Sequence, residues 1–138
     1  ISPELLKALC EMGHGDELVI ADGNFPSHSI GKHAIVVRAD GHGAAEILDA
    51  VLRLIPLDAY VERPVALMEV VPGDSCPTPE IWETYKNILN QHEPDHCGIE
   101  MMERFSFYER SKNAYLIIAT GETAIYANVL LKKGVVKV

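Results

Sequence analysis

Cysteine, basic charge and long apolar runs are all scarce in this chain of 138 residues. Its three cysteines, Cys10, Cys76 and Cys97, form no CxxC pair and are odd in number. A secreted domain of this size would more often carry an even disulfide framework, so a reducing cytoplasm is expected. Twelve basic residues stand against twenty acidic ones, a formal net charge of −8. That excess argues against a nucleic-acid partner, which needs a basic face. No apolar run approaches the ~18 residues of a membrane span, and no signal-peptide pattern is visible. A soluble protein with no membrane partner is expected. GxGxxG, Walker A, GxSxG and HExxH motifs are missing, as are internal repeats and low-complexity stretches. No nucleotide, metal or other cofactor is therefore predicted.

What is present reads as one α/β domain over residues 1–138. Ser2-Pro3-Glu4 starts a helix with a hydroxyl cap, a proline in its first turn and an acid. Leu5, Leu6, Leu9 and Met12 follow at helical spacing, and Gly13 falls at the expected helix end. Glu17 to Asp22 is a short apolar strand, and Gly23 to Ser29 a loop by composition. Ala34 to Arg38 is β-rich, and Ala44 to Ile55 a helix stopped by Pro56. Val65 to Val71 predicts a strand, Pro79 to Gln91 a helix, and Ile99 to Arg104 a strand leading into Phe105–Arg110. Tyr115 to Thr120 and Asn128 to Leu131 are two further strands. Helices alternate with strands, two of which lie close together near the end. The pattern predicts a layered α/β domain with a largely buried mixed sheet.

Several residues can carry chemistry. His14 sits between Gly13 and Gly15 in a tight helix-to-strand connection, where an imidazole is unencumbered and can move a proton near neutral pH. The segment reads equally well with Gly13 as only a cap and His14 as a surface residue. Asp22 ends an apolar strand, at the edge where α/β sheets receive ligands, or else closes an Asx-turn. Tyr126 and Asn128, two apart in an extended chain, would face one side and could bind successive hydroxyls of a polyol. Arg104 could bind a hydroxyl or pair with an acid. His28 lies close enough to Asp22 to line a pocket, whereas His33 and His42 read as exposed turn residues. His92 and His96, with Cys97, raise a metal site, but Pro94 interrupts the helix between them, so a solvated loop is expected.

Ordered stretches of the chain are similar to one family. Ile1-Ser2-Pro3-Glu4-Leu5-Leu6-Lys7, Met12-Gly13-His14-Gly15-Asp16-Glu17, Ala21-Asp22-x-Asn24-Phe25-Pro26 and Arg38-Ala39-Asp40-Gly41 resemble the fucose-mutarotase branch of the RbsD/FucU family. So do Arg104-Phe105-x-Phe107-Tyr108-Glu109-Arg110, Thr120-Gly121-Glu122-Thr123, Tyr126-Ala127-Asn128 and the closing Leu130–Val135. The sister ribose pyranases resemble a histidine-bearing pattern where this chain has Arg104. The region from Gly73 to Gly98 matches poorly. The resemblance implies a three-layer α/β/α fold with a mixed sheet, in a homo-oligomeric ring that is commonly a decamer. It implies interconversion of the α and β anomers of L-fucose without cofactor or metal. It makes His14 the proton donor and gives sugar binding to Asp22, Arg104, Tyr126, Ala127 (through its backbone) and Asn128. D-ribose pyranase activity and non-catalytic sugar binding are the alternatives.

Overall fold

The computed structural model describes residues 1–76, 78–95 and 98–137. Helix α1, Pro3–Glu11, begins as expected: Ser2 Oγ accepts the Leu5 N–H at 3.2 Å, and Leu5, Ala8 and Leu9 form the buried stripe. It ends through an extended Met12, and the left-handed residue of the connection is Gly15, with φ +88°, rather than Gly13. Gly13 instead donates its N–H to the Asp16 carboxylate at 2.7 Å. Strand β1, Glu17–Ala21, follows with its last four residues fully buried, the mark of a strand covered on both faces.

Gly23 to Ser29 is not all loop, because Ser27–Ile30 forms one helical turn, α2. Strand β2 is Ile35–Ala39, and helix α3 is Ala44–Leu52. Helix α3 ends before Pro56, and the Leu54 and Ile55 N–H groups still return to Val51 O at 2.9 and 3.0 Å. Strand β3 is Val65–Met68, helix α4 Glu80–His92 and strand β4 Ile99–Met102. Arg104–Lys112 is helical (α5), where the sequence pattern shows only a continuation after a strand. Its cap is Glu103, whose carboxylate accepts the Phe105 and Ser106 N–H groups at 3.0 Å. Glutamate is outside the usual Ser/Thr/Asp/Asn cap set, and α5 buries only Phe107 and Ser111, so it has no apolar stripe to read. Strands β5, Leu116–Thr120, and β6, Val129–Lys132, complete the chain.

The six strands form one sheet in the order β2-β5-β1-β6-β3-β4. Strand β6 runs antiparallel between β1 and β3, while the other pairings are parallel. Alternate residues feed two cores, as the period of two requires. Leu18, Ile20, Leu116, Ile118 and Leu131 pack under α1, α3 and α4. Val19, Ala21, Ile117, Leu130 and Met68 pack against Phe25 and the α5 residue Phe107 on the other face. The domain is thus three-layer α/β/α with a mixed sheet. Because every strand but β6 points the same way, the carboxyl ends of β1, β3 and β4 and the start of β6 lie along one edge. The amino ends of β1 and β3 and the end of β6 form the opposite edge.

Candidate functional site

The carboxyl edge carries a cleft of about 240 Å³ lined by Asp22, Asn24, Phe25, Met68, Val71, Asp74, Arg104, Tyr108, Ile125, Tyr126 and Asn128. Drug-sized ligands usually occupy roughly 300–1,000 Å³, so this volume suits a smaller molecule. Of the six residues singled out from sequence, Asp22, Arg104, Tyr126 and Asn128 line this one cleft.

Asp22 is only 6% exposed at the end of β1. Its N–H donates to Asn128 Oδ1 at 2.7 Å, and its Oδ1 accepts the Asn24 N–H at 3.0 Å, so it also makes the expected Asx-type closure. Burial pushes its carboxyl above the usual value and the nearby Glu122 charge adds to this, against the backbone N–H groups of Asn24, Ala127 and Phe25. Asn128 spends its side-chain oxygen on Asp22, which leaves its amide N–H₂ for a ligand.

Tyr126 reaches the cleft by a different route from the one its spacing suggests. It is a turn residue with φ 55°, left-handed and uncommon outside glycine, and β6 begins only at Val129. Its carbonyl accepts Trp82 Nε1–H at 2.8 Å, and its hydroxyl donates to Asp74 Oδ2 at 2.5 Å while accepting the Val71 N–H at 3.1 Å. That hydrogen bond holds the Asp74 carboxyl below its ordinary value. Ala127 is fully buried and does not line the cleft; its carbonyl accepts the buried Tyr85 hydroxyl at 2.5 Å. The turn that presents Tyr126 and Asn128 is thus fastened from beneath by α4.

Arg104 opens α5 with its guanidinium carbon 5.2 Å from the Phe105 ring centre and 5.7 Å from that of Tyr108. Its guanidinium, unlike those of Arg38, Arg53 and Arg110, makes no ion pair among the described residues, which leaves its donors for a ligand. Asp74 and Tyr108 complete the cleft, and sequence reasoning gave neither a role. Asp74 lies 52 residues from its partner Tyr126, in the stretch least like the family, and nothing local marks it.

His14 is not in this cleft. It sits before β1, at the amino edge, and the five residues of β1 alone span ~16 Å at ~3.3 Å per residue. Its Nε2 lies 3.1 Å from Asp58 Oδ1, and its ring is 5.3 Å from that of Tyr60. The imidazole is 46% exposed, whereas the Asp58 side chain is 3% exposed. Burial pushes the Asp58 carboxyl up, but the Tyr60 N–H, the hydrogen bond and charge of His14, and Lys132 outweigh it and hold it below its ordinary value.

The remaining histidines separate cleanly. His28 shares with Asp22 a second depression beside the cleft, where Arg38 Nη1 is 3.2 Å from its Nε2. His42 pairs with Glu46 at 3.0 Å. His92 is not in a solvated loop: it ends α4 and lies 2.7 Å from Asp49 of α3, joining two helices. His96 and Cys97 lie outside the described residues. Among the described residues no group of three His, Cys, Asp or Glu side chains could hold a metal ion. No described helix is long and apolar enough to cross a membrane.

Fold and site together define the class: a three-layer α/β/α domain with a small polar cleft at the carboxyl edge of a mixed sheet. The chain belongs to the family described as the RbsD / FucU transport protein family, whose model matches residues 1–136. It is 49% identical over 138 residues to an L-fucose mutarotase of Actinobacillus pleuropneumoniae serotype 5b, covering 100% of this chain and 94% of that one. Among solved structures, FucU from Bifidobacterium longum superposes with a TM-score of 0.95 at 59% identity, over 99% of this chain and 97% of that one. The fucose mutarotase of Streptococcus pneumoniae in complex with L-fucose gives a TM-score of 0.93 at 52% identity, over 99% and 95%.

Proposed function

We propose that this chain is a fucose mutarotase, interconverting the α and β anomers of L-fucose. The observation that carries this reading is the convergence of Asp22, Arg104, Tyr126 and Asn128 on one sugar-sized cleft, in a chain 52% identical to a protein solved with L-fucose. Asp22 accepts sugar hydroxyls through charge-assisted hydrogen bonds, Arg104 and the Asn128 amide donate to others, and the Phe25 and Tyr108 rings meet the apolar face.

The chemistry is a proton exchange. A base takes the anomeric hydroxyl proton, the bond from C1 to the ring oxygen breaks as the carbonyl forms, and an acid protonates the ring oxygen. Rotation about C1–C2 and the reverse steps give the other anomer. Two transfers near neutral pH are work for an imidazole, and such help is worth about 10²–10⁴-fold. His14 is the proton donor. Because β1 separates it from its own cleft, His14 of a second copy completes the site, in a closed homo-oligomer such as a decamer. Closed rings arise when one head-to-tail contact repeats with the right rotation. The expected setting is the cytoplasm.

Exchange NMR of the two anomeric protons of L-fucose tests the reading. Faster exchange with the protein present supports it. Saturable binding without faster exchange would make the chain a sugar-binding protein. Exchange confined to D-ribose would make it a pyranase, against the arginine at position 104.

A further inference from the structure

His14 and Asp58 are 44 residues apart, yet both are hung on the end of β6. The Gly15 N–H donates to Lys133 O at 2.9 Å and the Lys133 N–H to Asp16 O at 2.9 Å, which fixes the His14 connection. From the other side the Asp58 N–H donates to Lys132 O at 3.0 Å and Leu57 bridges to Lys133. The meeting of imidazole and carboxylate is therefore built by backbone pairing on both flanks, not by two mobile surface side chains.

Asp58 is 2% exposed, and its Oδ1 also accepts the Tyr60 N–H at 3.0 Å. Lys132 faces the carboxylate from β6. A carboxylate only accepts hydrogen bonds, so the imidazole atom against it, Nε2, must carry hydrogen. Nδ1 makes no hydrogen bond among the described residues, on a ring that is half exposed. We infer that Asp58 is a positioning residue: it fixes His14 as the Nε2–H tautomer, so that Nδ1 is the atom that gives the proton to the sugar ring oxygen and takes it back. In the charged ring both nitrogens carry hydrogen. Nδ1–H donates, and the neutral ring left behind is the tautomer that Asp58 stabilises. Histidines in other sites are oriented by a carboxylate on the far nitrogen in this way. The inference rests on the reading of His14 as the proton donor.

The test uses the assembled protein labelled with ¹⁵N-histidine, the His14 signals being assigned by their loss in His14→Gln. Above the titration range, the neutral ring should show hydrogen on Nε2 and a bare Nδ1. Asp58→Ala removes the Oδ1 that Nε2–H and the Tyr60 N–H share, so a measurable part of the hydrogen should appear on Nδ1. In the same variant kcat for fucose exchange should fall about 10–100-fold, the cost of losing the group that orients a histidine, with KM little changed. A merely structural Asp58 would lower the melting temperature without moving the tautomer. Hydrogen on Nδ1 in the unaltered protein, or full kcat in Asp58→Ala, would overturn the inference. If Asp58→Ala does not fold, the spectrum of the unaltered protein decides alone. If the unaltered protein shows no exchange, the sugar reading fails, while the spectrum still tests the hold of Asp58 on His14.

Discussion

The two edges of the sheet differ in how their polar groups are used. At the carboxyl edge two cleft residues are tied to the protein, Asp22 with Asn128 and Asn24, and Tyr126 with Asp74 and Val71. At the amino edge Asp58 is buried and bonded, but the imidazole that it holds is half exposed and one ring nitrogen has no partner among the described residues. In the proposed mutarotase the first edge is a pre-shaped receptor for the sugar. On the same reading the second is a poised acid–base group that lies away from the cleft of its own chain. On the proposed reading, binding and proton transfer fall on opposite ends of β1, and a second copy brings them together.

Substitutions at the two edges should therefore fail differently. His14→Ala should have the largest effect, lowering fucose exchange about 10²–10⁴-fold while sugar affinity is nearly kept. Parallel exchange and titration measurements check this, and an equal loss of affinity would move His14 into the binding surface. Asp22→Asn comes next. Loss of a charged acceptor should weaken fucose binding by about 1.5–3 kcal/mol, read by titration.

The same variant has a pH signature. The folded-state value of Asp22 lies above its ordinary 3.8, so the folded chain holds that proton more tightly than the unfolded one. Its contribution to stability is thus lost as pH rises from about 3.8 through the raised value. Melting curves should show the unaltered protein losing ground to Asp22→Asn across that window. A gap that does not change with pH would contradict the desolvated carboxylate.

Tyr85→Phe is the smallest of the three and links core to cleft. It strands the Ala127 carbonyl, at a cost of about 1–3 kcal/mol in stability. Because that carbonyl belongs to the turn holding Tyr126 and Asn128, fucose affinity should fall severalfold as well. A lower melting point with unchanged affinity would show the turn to be held by other contacts.

How much of this could be read from sequence follows the range of each interaction. The helix at Pro3 was legible because cap, proline and stripe lie within ten residues, and β1 and β5 because apolar runs mark strands buried on both faces. Helix α5 was not: its Glu103 cap and aromatic, charged surface carry no periodic signal, and α2 is too short to have one. For the site, Asp22, Arg104, Tyr126 and Asn128 were named from motifs and do gather in one cleft. The reasoning for Tyr126 was wrong in kind, however, since a left-handed turn rather than an extended pair presents it. Asp58 and Asp74 escaped notice because each works through a partner 44 or 52 residues away. The placement of His14 away from Asp22 was also beyond the motif. Eight residues are close in sequence, but a strand between them holds its ends apart.

The most direct test of a site shared between copies is complementation. His14→Ala and Arg104→Ala chains are each expected to be nearly inactive alone. Co-expressed, they form mixed assemblies in which an intact His14 from the Arg104→Ala chain meets an intact cleft on the His14→Ala chain. Fucose exchange by the purified mixed assembly should recover well above that of either variant alone. Recovery no greater than the sum of the two would mean that His14 and the cleft do not act together across copies, and the account would be wrong.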